Sequence, residues 1–293
     1  MSVKILLDTD IGSDIDDAVC LAYLLANPEC ELLGITTVTG EPVKRAMLAS
    51  VLCKIAGKNI PIFPGATQPL IIPQLQLEAK QAKALVKYPH QREFPDGAAV
   101  EFLRKTIMKY PGEVVLLTIA PLTNVSLLFS VDAEIPSLLK GVVSMCGNFL
   151  RKIPGLPDTE WNAMADYHAS AIVYNAKLKM HRSVGLDVTS QVTMEPEEFK
   201  ESFSEHKLLK PVLDFSVEFF KEWNMVTFHD PLAAVSVFDS SVCVFENGTV
   251  EIELSDQNKP GLTYWRKDKE GRHQVAIEVS PKRFFEKYFS VFK

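Results

Sequence analysis

Short apolar runs stopped by Gly, Pro or Asp alternate with longer segments of helical spacing through the first half of this chain, and no other feature constrains its fold as much. VKILLDTD predicts a strand, Asp16 to Leu25 a helix, ELLGITTVTG a strand, and VKRAMLASVLCKIAG a helix closed by Gly57. PIFPG then leads into a loop with a helical stretch up to about Lys87, followed by a helix from about Gly97 to Met108 and the strand EVVLLTIA. The strand segments are nearly continuous in apolar residues. Strands of that kind bury both faces, so the pattern predicts an α/β fold with a mostly parallel central sheet covered by helices on both sides, doubly wound or closely related.

Further along, GVVSMCG predicts another strand, followed by a loop from Phe149 to Thr159, a helix from about Ala165 to Ala176, and VGLDVTSQV as a strand candidate. HKLLKPVLDFSVEFFKEW and DPLAAVSVF have helical spacing. In the tail, VCVFENGTVEIEL places Asn-Gly between two alternating runs, which predicts a hairpin, with GLTYWRKD and HQVAIEVS supplying another strand or two. No repeat or linker interrupts the chain, so one domain over residues 1–293 is expected.

Acidic residues outnumber basic ones, 37 to 31, and the basic ones are scattered, which argues against a nucleic-acid partner. The N-terminal apolar run is too short for a signal-peptide core, and no run approaches membrane-spanning length, so a soluble, cytoplasmic protein with no membrane partner is expected. The five cysteines are odd in number, lack a C-x-x-C pair and mostly sit among apolar neighbours, as buried small hydrophobes do.

Asp8, Asp10, Asp14, Asp16 and Asp17 crowd the carboxyl end of the first strand with no Lys or Arg among them. Each close like-charge pair costs roughly 1 kcal/mol in water and several times that where water is excluded, so a bound cation is the natural remedy. Oxygen-only donors suit a hard ion such as Ca²⁺ or Mg²⁺, and open parallel sheets bind ligands beyond the carboxyl ends of their strands. Capping of the following helix accounts most easily for Asp14 and Asp16 but not for the set. A haloacid-dehalogenase-type phosphatase also begins with an apolar strand ending in D-x-D. It lacks support here, because no phosphate-binding Lys or Arg lies near Asp10 in the sequence.

LLDTDIGSDIDDA closely resembles the N-terminal signature of the inosine-uridine nucleoside hydrolase family. GITTVTG, IAPLTNVSLL, GVVSMCGNF, TEWNAMADYHA, VGLDVTSQV and FHDPLAAV agree with it in order and spacing, from about Leu6 to about Phe238. The resemblance implies a calcium-dependent enzyme that hydrolyses the N-glycosidic bond of ribonucleosides, with Asp10 activating a metal-bound water. By the same resemblance Asp10, Asp17, Asp230 and the carbonyl of Ile119 would hold the metal. Asp16, Glu160 and Asn162 would bind ribose, Met145 would line the sugar pocket, and His229 would protonate the leaving base. Dimers or tetramers are usual in the family, and a role in purine or pyrimidine salvage is implied.

Trp161 suits an aromatic wall against base or sugar, or equally a core position. His168 and His90 are weaker candidates than His229 as the acid. Glu41 follows GITTVTG where many family members carry a ribose-contacting asparagine, and a carboxylate can only accept hydrogen bonds there. That departure keeps two further readings open: hydrolysis of another N-riboside such as nicotinic acid riboside, and non-catalytic, calcium-dependent ribose binding.

Overall fold

The computed structural model describes residues 2–292. Seven parallel strands form the body of the sheet: β1 (Val3–Thr9), β2 (Cys30–Thr37), β3 (Ile62–Pro64), β4 (Val114–Thr118), β5 (Gly141–Met145), β6 (His181–Val184) and β11 (His273–Val279). β9 (Cys243–Ile252) pairs antiparallel with β11, and β10 (Thr263–Lys267) with β9, giving the order β10-β9-β11-β6-β5-β4-β1-β2-β3. Two residues each from β7 (Thr193–Met194) and β8 (Val226–Thr227) form a separate ladder. The core order 3-2-1-4-5-6 is that of a doubly wound fold, whose direction reverses between β1 and β4.

The apolar strands have the predicted cause. Ile5 and Leu7 of β1, Val115 and Leu117 of β4, and Val143 of β5 enter one core. That core is built with α1 (Asp16–Ala26), α2 (Pro42–Ile55) and the later α11 (His229–Phe238). Leu6, Val114, Leu116 and Val142 point the other way. Their partners are α3 (Ala99–Lys109), α4 (Thr123–Val131), the short α5 (Ile135–Leu138) and α7 (Tyr167–Asn175). All five cysteines are buried and free, and among the described residues no helix is long and apolar enough to cross a membrane.

Two local expectations need correction. VGLDVTSQV is not a strand: β6 ends at Val184, and Leu186–Thr189 forms the helical turn α8, because Asp187 turns its carboxylate onto the amides of Phe149, Leu150 and Arg151 at 2.6, 2.9 and 2.8 Å. The Asn-Gly pair is not a turn, since β9 runs straight through it. Gly248 is needed there for close approach, a Cβ lying 2.2 Å from Trp265 Nε1 and 2.5 Å from the Arg266 carbonyl. The helix expected from about Ala165 to Ala176 is α7 (Tyr167–Asn175), and a further short helix, α6 (Trp161–Ala165), precedes it across Asp166. Asp166 accepts from Ala169 N, Thr123 Oγ1 and Leu70 N and so ties three segments together.

α10 (Lys210–Phe219) lies within the segment read as helical, whereas α9 (Pro196–Ser204) and α12 (Pro281–Ser290) have no counterpart in the sequence reading. Phe284 and Tyr288 of α12 pack with Phe203 and Phe228, and Tyr288 donates to the Val19 carbonyl at 3.1 Å. This aromatic stack backs Phe228, the residue before α11, and so supports the end of α11 that faces the switch point.

His181 and His273 pair directly across β6 and β11 with their rings 5.2 Å apart. His273 accepts from Val250 N at Nδ1 and donates from Nε2 to the Tyr174 carbonyl, a neutral arrangement. Burial lowers both pKa values, that of His181 well below 6.5. Because the folded values are depressed, the pair's contribution is full above the unfolded value of about 6.5 and is lost as pH falls below it. The urea midpoint of the unaltered protein should therefore fall relative to that of His181→Phe as pH goes from 7 to 5; a difference between the two proteins that stays constant with pH would refute the assignment.

Candidate active site

The switch point is built from hydroxyl and amide side chains that take up the acids of β1. Asp8 Oδ1 accepts from Thr36 Oγ1 at 2.5 Å and Asn124 Nδ2 at 2.8 Å. Asn124 also donates to the Thr37 carbonyl and accepts from Ala66 N, so it is a structural brace between β1, β2 and the chain after β3. Thr9 Oγ1 donates to Asp17 Oδ1 at 2.5 Å and accepts from Ile11 N at 3.1 Å, folding the loop back onto α1. Gly12 makes the turn at φ +124°, a conformation side-chain-bearing residues rarely adopt.

Beyond this loop opens a cavity of about 750 Å³. Oxygens of Asp16, Asp17 and Asp230 lie within 4.8 Å of one another, all three residues buried. Asp230 comes from the first turn of α11, and its backbone N–H donates to Asp16 Oδ2 at 3.1 Å. Asp10 lines the same cavity, as does Ile119 just past β4. Asp14 also lines it but sits exposed on the loop. Burial first, then mutual repulsion, raises Asp16, Asp17 and Asp230 well above the usual carboxylate range. Burial also raises Asp8 to about 7 and Asp10 to about 6, the latter opposed by Arg45 and the Gln76 amide.

Arg45 corrects the sequence picture of acids with no basic neighbour. Its fully buried guanidinium reaches from α2 under the loop. Nε donates to the Gly40 carbonyl at 2.8 Å, and Nη1 to the carbonyls of Asp10 and Ile11 and to Ser13 Oγ. Arg45 acts on Asp10 and Asp17, so among the five buried acids Asp8, Asp10, Asp16, Asp17 and Asp230 carboxylates remain in excess. The donors are hard oxygens, so the set fits a divalent cation such as Ca²⁺.

The sugar-side residues come from β5 and α6. Met145, Glu160, Trp161 and Asn162 all line the cavity. Glu160 caps α6: its carboxylate accepts from Gly147, Asn162 and Ala163 amides at 2.7 to 3.0 Å. Asn162 Nδ2 donates to the Met145 carbonyl at 3.0 Å, which leaves its oxygen for a ligand. His229 lines the cavity with Nδ1 at 2.7 Å from Thr189 Oγ1, and burial lowers its pKa to about 4.

Glu41 stands apart. At φ 58° it precedes α2, pairs with Lys44 and accepts from Ala79 N at 3.0 Å, and it is not among the cavity-lining residues. His90 and His168 do not line the cavity either. Asn148 spends its Nδ2 on the Pro157 carbonyl at 2.8 Å. Residues missed from sequence include Gln76, Leu77, Lys80, Phe219, Glu222 and Trp223, which also line the cavity, and Arg45 beneath the loop. Arg45 had one available signal, a basic residue inside the apolar helix VKRAMLASVL.

Arg45→Met would leave Asp10 and Asp17 without their cation and three carbonyls without a donor. A loss of about 3–5 kcal/mol in urea unfolding without divalent metal is expected, as for other broken buried pairs. Arg45→Lys should recover only part of it, because an ammonium does not reproduce the planar fork. An unchanged midpoint in Arg45→Met would refute this.

The sequence profile of inosine-uridine preferring nucleoside hydrolases matches residues 5–286. The chain is 30% identical over 304 residues to the inosine-uridine preferring nucleoside hydrolase of Leishmania major, covering 97% of this chain and 96% of that one. It is 29% identical over 268 residues to uridine nucleosidase 1 of Arabidopsis thaliana, covering 85% and 78%. The purine-preferring ribonucleoside hydrolase of Gardnerella vaginalis shares the fold at a TM-score of 0.85, with 22% identity and coverage of 99% and 98%. With the profile matched across nearly all of its length, the chain belongs to the inosine-uridine preferring nucleoside hydrolase family, enzymes that hydrolyse the N-glycosidic bond of ribonucleosides.

Proposed function

We propose that this cavity carries out calcium-dependent hydrolysis of ribonucleosides, with Asp10 as the general base. The observation that carries the reading is the convergence of Asp16, Asp17 and Asp230 beside Asp10 in one cavity whose other wall is Glu160, Trp161 and Asn162. Asp10, Asp17, Asp230 and the Ile119 carbonyl would hold the ion. Asp16 shares the trio and receives the Asp230 amide on one oxygen, which leaves the other for ion or ribose hydroxyls. When bound, a hard divalent cation supplies the positive charge that offsets these carboxylates and acidifies a coordinated water.

Cleavage of a ribose C1′–N bond builds positive charge on the sugar and negative charge on the departing base, as in other glycosyl transfers. Asp10, buried and lifted to about 6, is still ionised at neutral pH and is the group poised to accept a proton from the attacking water. The surrounding carboxylates favour the cationic sugar. Asn162 and Met145 set its position, and direct displacement by water predicts inversion at C1′.

At the base end, burial keeps His229 neutral. Its Nδ1 meets the Thr189 hydroxyl, and in the tautomer in which Thr189 donates, the Nε2 proton would hydrogen-bond the departing base; a ring held neutral in this way is not the imidazolium that a general acid requires. Phe219, Trp223 and Leu77 line the cavity with apolar surface, beside Lys80, Glu218 and Glu222. That surface suits both purine and pyrimidine bases, in keeping with relatives named for uridine, inosine-uridine and purine substrates.

The test is ribose release from a panel of purine and pyrimidine ribonucleosides, with and without a calcium chelator. Turnover should vanish with chelator and return with Ca²⁺; activity that survives complete metal removal would refute the metal assignment. Asp10→Ala should lower kcat about a thousandfold, within the range of general-base deletions. Binding of nucleosides with no turnover by the unaltered protein would instead support a non-catalytic ribose binder.

A further inference from the structure

Besides the action of its amide on the Asp10 carboxyl, the Gln76 side chain bridges two walls of the cavity. Oε1 accepts from Trp161 Nε1 at 2.9 Å, and Nε2 donates to Ser13 Oγ. Ser13 Oγ also accepts from Arg45 Nη1 at 3.1 Å and donates to the Glu78 carbonyl at 3.4 Å, which uses both acceptor sites and the single donor of a hydroxyl. Because Arg45 also donates to the Asp10 carbonyl, a continuous line of hydrogen bonds runs from the Trp161 indole to the backbone of Asp10.

The backbone of Gln76 is anchored as well. Its carbonyl accepts from Gly40 N at 3.1 Å and its amide donates to Gln74 Oε1 at 2.9 Å. A Cβ on Gly40 would lie 2.4 Å from the Gln76 carbonyl, so the close approach of this segment depends on that glycine. Trp161 is 42% exposed, so its position owes little to burial alone. A phenylalanine at 161 could supply a ring there but no N–H for Gln76.

We infer that Gln76 is a positioning residue, a clasp that sets the distance between the Trp161 wall and the Asp10 loop and thereby fixes the sugar between them. The inference rests on ribonucleoside hydrolysis at this cavity. A clasp acts on orientation, and a misplacement of about 1 Å can cost about a hundredfold in rate. Its loss therefore falls on kcat, whereas loss of a simple wall contact raises KM with kcat unchanged.

The experiment compares the full chain with Gln76→Ala, Trp161→Phe and the double variant, using inosine and uridine as substrates and indole N–H NMR without substrate. Each single change should lower kcat about tenfold with KM changed less than about threefold, and the double variant should be no worse than either, as expected for two ends of one interaction. The Trp161 indole resonance, assigned by its loss in Trp161→Phe, should shift in Gln76→Ala. Additive losses, an effect confined to KM, or an unmoved indole resonance would each overturn the clasp. Should the unaltered protein cleave neither nucleoside, the proposed activity fails on its own, and the resonance still decides the clasp.

Discussion

Five buried carboxylates, two of them offset by the buried guanidinium of Arg45, set the constraint to which the rest of this structure answers. Each acid is desolvated, and Asp16, Asp17 and Asp230 also repel one another, so the site holds free energy that a hard cation would release on binding. Arg45 does not cancel this charge. Its donors go largely to the carbonyls of Asp10, Ile11 and Gly40, so it works mainly as the internal frame of the loop. The loop keeps its shape in spite of its charge because its backbone is held from beneath.

That frame needs support from distant parts of the chain. α11 brings Asp230 to the cluster, and Phe228 before it is held by Phe203 of α9 and by Phe284 and Tyr288 of α12. Asp187 holds the loop after β5 by three successive amides, and that loop presents Leu156 and Pro157 to the cavity. Glu160 in turn uses its carboxylate to start α6, which sets the directions of Trp161 and Asn162. Several polar residues that a motif reading assigns to the substrate are thus partly spent on the backbone, and what remains for a ligand is the part of each side chain left without a protein partner.

The parallel sheet was legible because its strands are apolar on both faces, and a residue pattern of that kind has few other uses. The tail misled because Asn-Gly is a strong turn signal only when no neighbour needs the glycine. Here Trp265 and Arg266 crowd Gly248 from the adjacent strand, a tertiary demand that looks identical in sequence. VGLDVTSQV misled for a related reason: Val, Leu and Thr favour strands locally, but the three amides offered to Asp187 favour a helical turn more. The tail helix α12 carries an amphipathic pattern of aromatic residues whose value depends on the Phe203 and Phe228 surface it meets.

By itself, the sequence determined the class of sheet, the crowding of acids at the end of β1 and the hard-oxygen character of their donors, because these follow from local composition and period. The tertiary structure decided which acids share one space, that Asp230 joins Asp16 and Asp17, that Arg45 lies beneath them, and that Glu41 turns away to Lys44 and Ala79. It also decided that Gln76 meets Trp161. Those contacts join residues far apart along the chain, and their existence depends on how the strands order themselves around the switch point, which no local pattern encodes.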